Sequence, residues 1–140
     1  MTTASCPIEE LELFADCTKS ELRLISSLTT TLQLAKGQVL MRQGDAGREF
    51  VIVGSGIVRI SRETEGGVAR IADVGSGDFL GEIALLSGVP RTATATASTD
   101  VSVLVSSVGE FRSILHVAPS VEDRVRRASM ARTTSVGVAA

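Results

Sequence analysis

A chain of 140 residues that is 44% hydrophobic is long enough to bury roughly two-thirds of its unfolded surface around a single core. Its 14 basic and 16 acidic residues leave a net charge of −2 and a pI near 5.4, which argues against a polyanion-binding surface. One histidine, His116, makes a histidine-rich zinc site and a Ser-His-Asp triad both hard to build, and two cysteines, Cys6 and Cys17, argue against a disulfide framework.

The first seven residues lack the basic and apolar regions of a signal peptide, and no apolar run approaches the ~20 residues that span a bilayer. The expectation is a soluble, cytoplasmic, single domain over residues 1–140, with both cysteines as reduced thiols. Over 8–28, Ile8, Leu11, Phe14, Leu22, Ile25 and Leu28 recur mostly at helical spacing. Two short helices are predicted there, the second opened by Thr18 and Glu21 in a capping-box pattern. From Thr31 the texture changes to short Val-, Ile- and Thr-rich stretches between glycine turns, about every 8 to 12 residues. Strands are expected near 31–35, 38–42, 50–53, 57–63, 68–74, 92–98 and 101–106, with a short helix at 81–87 interrupting them. Gly44, Gly47, Gly56 and Gly77 read as turn glycines serving positive φ. Asp78 and Asp100 read as turn residues, and His116 as packed at a helix end. Helical signal returns over about 110–132, with Pro119 suited to a helix start. The tail from Thr133 is expected to fray. The fold class is α+β: an antiparallel β-sandwich or barrel over about 31–106 with an inserted helix, flanked by N- and C-terminal helices.

The chemistry concentrates in 79–97. Gly81 and Glu82 head the inserted helix, whose N-terminus attracts anions through unpaired N–H groups and the helix dipole. Ten positions on, Arg91 supplies a permanent charge in a fork shaped for phosphate oxygens. Glu82 can accept from a ribose hydroxyl. Ala93, Ala95 and Ala97 alternate with threonines, so one strand face carries only methyl groups and leaves room for a ligand. The combination suits a small anion carrying a sugar. Taken alone, Glu82 would be a dipole-stabilising carboxylate and Arg91 a surface arginine; their company favours the ligand role.

Phe79, Gly81-Glu82-Ile83-Ala84-Leu85-Leu86 and Pro90-Arg91-Thr92-Ala93 resemble the phosphate-binding cassette of the cyclic nucleotide-binding domain family. Gly44-Asp45-Ala46-Gly47, Phe50-Val51-Ile52-Val53 and Gly56 fit that family's front half, so the resemblance covers about 8–132. It implies a jelly-roll barrel in which Arg91 pairs with the cyclic phosphate and Glu82 takes the ribose 2′-hydroxyl. The N–H groups of Ile83, Ala84 and Ala93 would add sugar–phosphate contacts. The Thr92 hydroxyl would reach the phosphate or a guanine amine, which leaves cAMP and cGMP both open, with cAMP favoured. Relatives often cap the base with an aromatic side chain from the last helix, whereas this chain has no Trp or Tyr. It looks most similar to the domain of a bacterial cyclic-nucleotide-gated potassium channel, where an arginine covers the base; Arg126 is the candidate here, then Arg127.

The function implied is a regulatory sensor that repositions its C-terminal helices, not an enzyme, with no cofactor beyond the ligand. Rival readings are a regulatory fragment of a transcription factor, channel or acyltransferase, and a ligand-free interaction or dimerisation module. An effector protein or domain is an expected partner, nucleic acid and membrane insertion are not, and a homodimer stays open. The arginines at 124, 126, 127 and 132 are balanced by Glu122 and Asp123 and read as a solvated helix face. Arg126-Arg127-Ala128-Ser129 resembles a basophilic kinase site, a four-residue pattern common by chance.

Overall fold

In the computed structural model of the protein, residues 8–134 are described, without the side chains of residue 83 and of residues 131–134. Among the described residues, eight strands form two antiparallel four-stranded sheets. The first sheet has the order β1 (Thr30–Leu34), β8 (Val101–Ser107), β3 (Glu49–Ser55), β6 (Phe79–Leu80). The second has β2 (Val39–Met41), β7 (Thr94–Ala97), β4 (Val58–Thr64), β5 (Gly67–Val74). The helices are α1 (Lys19–Ser27), α2 (Glu82–Ser87), α3 (Val108–Val117) and α4 (Pro119–Thr134). The sandwich with an inserted helix is therefore as expected.

β3 explains how the layers hold together. Phe50, Val51, Ile52 and Val53 are all buried, an apolar run rather than an alternation, because both faces of the strand are covered. Val51 and Val53 face Met41, Val58, Ile60, Leu80, Val101 and Val103 between the sheets. Phe50 and Ile52 face the other way, against Phe14, Ile25, Phe111 and Ile114 of the helical layer. The Phe50 ring lies 4.5 Å from that of Phe111, centroid to centroid.

Helix ends obey local rules. Thr18 and Glu21 form the expected capping box, and Ser107 and Glu110 form a second one that starts α3. Pro119 does open α4. Asp78 Oδ2 accepts from the Gly75 N–H and Asp100 Oδ1 from the Lys36 N–H, so both carboxylates are turn residues.

Several expectations need correction. The first N-terminal helix is a pair of 3₁₀ turns, Ile8–Glu10 and Glu12–Phe14, because Leu11 between them is extended at φ −80°, ψ 132°. β6 was not expected; two residues are too few to show a period, and only pairing with Val51 and Ile52 makes them a strand. Gly47 does not adopt positive φ. The alanine face of β7 is packed tight between the sheets rather than open to a ligand, with Ala93 and Ala95 wholly buried. His116 lies exposed in the last turn of α3. Arg124 is half-buried rather than fully solvated: it donates to the Glu12 carbonyl at 2.8 Å and to Asp16 at 2.7 Å, tying α4 to the N-terminal turns. Cys17 is a free, half-buried thiol 3.9 Å from the Ser120 hydroxyl, while Cys6 and the tail beyond residue 134 lie outside the described residues.

Candidate functional site

Between α2 and β7 the chain passes through Arg91, which is only 5% exposed. A buried guanidinium demands partners, and the backbone supplies them. Nη1 donates to the Gly81 carbonyl at 3.0 Å and Nη2 to the Glu49 carbonyl at 2.6 Å. The main chain of Arg91 is held as well: its N–H donates to the Asp45 carbonyl and its carbonyl accepts from the Gly44 N–H, both at 2.8 Å. Burial pushes the guanidinium below its ordinary pKa, while the charges of Glu49 and Glu82 act in the opposite sense. It remains a cation at neutral pH.

Gly81 carries α2 away from β6 in a left-handed conformation, φ 96°, that L side chains rarely adopt. A Cβ there would press on Arg91 Nη1 at 2.5 Å and the Glu49 carbonyl at 2.6 Å. The next residue, Glu82, is fully buried, which is rare for a carboxylate outside a built polar site. Arg91, Gly81 and Glu82 are thus brought together.

Arg91 borders a cavity of about 480 Å³, within the ~300–1,000 Å³ usual for small-molecule sites. Val39, Leu40, Met41 and Val51 form its apolar wall. Arg42, Asp45, Arg48 and Glu49 form its polar side. Nothing in the local sequence of these β2 and β2–β3 loop residues marks them as facing a ligand. The Gly44–Gly47 turn signals a loop, which only the fold carries to Arg91.

The other expected site residues divide. Residue 83 lies in the first turn of α2, and Ala84 is buried beneath Gly47. Thr92 is half-buried, and its carbonyl accepts from Arg62 Nε at 3.1 Å. Ala93 belongs to the core between the sheets. Arg126 is not at this cavity. It is exposed on α4, its Nε 3.7 Å from Glu122, beside a separate hollow of about 390 Å³ lined by Leu85, Leu86, Phe111 and Leu115. Arg127 pairs with Asp123 on the exposed face. Among the described residues no cluster of three or more His, Cys, Asp or Glu could hold a metal, and no helix is long and apolar enough to cross a membrane.

A buried arginine at a cavity edge, bonded to the glycine that leads into a helix with a buried carboxylate at its head, agrees with the comparisons. The profile of the family described as "Cyclic nucleotide-binding domain" matches residues 31–117. The chain is 38% identical over 122 residues to "Acetyltransferase Pat" of Mycolicibacterium smegmatis, covering 87% of this chain and 36% of that protein. It is 30% identical over 96 residues to a cyclic nucleotide-gated potassium channel of Rhizobium etli, covering 69% of this chain and 26% of the channel. Among solved structures, a point mutant of a cAMP-binding acyltransferase from Mycobacterium smegmatis superposes with a TM-score of 0.74 at 36% identity, covering 86% of this chain and 38% of that one. The chain therefore spans between 26% and 38% of the length of these relatives, and over that span it belongs to the cyclic nucleotide-binding domain family.

Proposed function

We propose that the cavity beside Arg91 takes a cyclic nucleotide, cAMP in preference to cGMP, and that the domain relays occupancy through α3 and α4. The observation that carries this is the buried Arg91 cation, held at the cavity edge by the Gly81 and Glu49 carbonyls. In this reading its fork takes the cyclic phosphate, Glu82 takes the ribose 2′-hydroxyl, and the N–H groups of Ile83, Ala84 and Ala93 line the sugar–phosphate. The Thr92 hydroxyl adds a contact to the phosphate. The preference for cAMP is supported by the 36% identity to an acyltransferase described as cAMP-binding.

Relay needs a ligand that binds two helix arrangements with different affinity. Gly81 leads directly into α2, which touches both β3 and α4, so a shift at the Arg91–Gly81 contact has a short path to the C-terminal helices. Arg126 lies on that path, beside Leu85 and Leu86 of α2. It would reach the base only after α4 moves. A guanidinium stacked on a purine face is favourable.

Titration calorimetry of the chain with cAMP and with cGMP tests the reading. Saturable heat with cAMP at lower concentration than with cGMP is expected; a folded chain silent to both favours the ligand-free interaction module. A second reading, compatible with the first, makes the domain the regulatory, non-catalytic and cytoplasmic part of a longer effector. It is favoured by the chain's covering only 36% of the acetyltransferase, and sequencing the flanking reading frame decides it.

A further inference from the structure

The β4–β7 pairing ends at Ser61↔Thr94, while β4 continues to pair with β5 as far as Thr64↔Gly67. Past that point one edge of β4 has lost its strand neighbour, and its main-chain groups need other partners. Gln43 supplies them. Its Oε1 accepts from the Glu63 N–H at 2.6 Å, and its Nε2 donates to the Glu63 carbonyl at 3.1 Å. An amide that satisfies both groups of one residue fits the strand at one place only. The Gln43 N–H meanwhile donates to the Thr94 hydroxyl at 3.0 Å. Gln43 is half-buried while Arg42, Gly44, Asp45 and Ala46 beside it are exposed, so this side chain is where the β2–β3 loop attaches to the sheet.

The next two residues of that loop grip Arg91. Gly44 donates to the Arg91 carbonyl and Asp45 accepts from the Arg91 N–H, both at 2.8 Å. On the far side Arg62, adjacent to Glu63, donates to the carbonyl of Thr92 at 3.1 Å. The chain segment that aims the Arg91 guanidinium is thereby strapped to β4 from both directions.

We infer that Gln43 is a positioning residue for Arg91: by replacing the missing strand partner of Glu63 it fixes the loop that holds Arg91 at the cavity edge. The inference rests on Arg91 being the phosphate ligand. It is tested by two measurements whose failures differ. In ¹H–¹⁵N spectra of the ligand-free chain, the Arg91 Nε–H signal is identified by its loss in Arg91→Lys. Gln43→Ala is expected to shift or broaden that signal and to lower cAMP affinity, measured by calorimetry, about tenfold. Gln43→Glu keeps the acceptor for the Glu63 N–H but loses the donor, and should fall between Gln43→Ala and the unaltered chain. Gln33→Ala removes a side chain bonded to the Ser102 hydroxyl at 3.2 Å on the β1–β8 pair, and should move neither readout. An unmoved Arg91 signal, or unchanged affinity, in Gln43→Ala overturns the inference. Absence of cAMP binding by the unaltered chain overturns the ligand reading instead; a moved Arg91 signal would still support the strap.

Discussion

Gly47 lies directly against Arg91: a Cβ on residue 47 would stand 3.3 Å from the guanidinium carbon and would overlap the methyl of Ala84. The glycine is required by close approach, since its φ is not positive. One residue without a side chain lets the β2–β3 loop, α2 and Arg91 meet at a point. Gly47→Ala must part the loop from Ala84, in the first turn of α2, and it crowds the guanidinium as well. We expect a stability loss of about 1–3 kcal/mol by overpacking, accompanied by weaker cAMP binding. Urea denaturation and calorimetry on the same preparation check both parts, and normal affinity with normal stability would contradict the close contact.

Arg91→Ala should do two things at once. Removing the charged partner of a phosphate should cost about 2–5 kcal/mol of binding. Leaving the Gly81 and Glu49 carbonyls without their donor should also cost about 1–3 kcal/mol of stability. Arg91→Lys keeps the charge but cannot fork to two carbonyls, so it should recover little of either. Glu82→Ala should weaken binding less than Arg91→Ala does. Calorimetry with cAMP, beside thermal melts without it, separates the effects.

Arg126 offers a sharper division. Its side chain is 57% exposed and meets Glu122 only at 3.7 Å, so Arg126→Ala should leave the ligand-free melting temperature unchanged. If Arg126 moves to cover the base, the variant should nonetheless bind cAMP more weakly. Equal affinity would return the base-capping role to another residue.

At the opposite extreme, Phe111→Ala opens a hole in the helical layer where the ring meets Phe50 at 4.5 Å. It should cost about 3–5 kcal/mol in urea denaturation.

Ser107→Ala removes the side-chain acceptor for the Glu110 N–H at the start of α3, and should destabilise by about 1 kcal/mol. Thr18→Ala should cost a similar amount at α1. Neither residue borders the Arg91 cavity, so the cAMP affinity of the folded chain should be unchanged in both, as calorimetry would report.

What the sequence determined by itself was local. A capping box is a matter of four adjacent residues, so Thr18 and Glu21 announce α1, and Ser107 and Glu110 carry the same pattern before α3. Gly81, Glu82 and Arg91 lie within eleven residues, near enough for their spacing to suggest one site. Glycine turns with Val- and Ile-rich runs between them specified a sandwich, because strand period and turn chemistry are short-range properties. Only the tertiary structure could decide what lies opposite. Gly47 resembled any turn glycine until α2 and Arg91 were placed against it. The alanines of β7 suggested space, and the facing sheet fills it with Val51, Val53 and Leu80. Gln43 and Glu63 are twenty positions apart, and their bond exists because β7 stops short of Glu63. Arg126, expected at the ligand, rests instead beside α2, since the packing of α4 rather than its sequence sets which hollow its face meets. Hydrogen-bond patterns and periodicity are written along the chain, whereas close approach, filled space and the far partner of a side chain come into being only when distant segments meet.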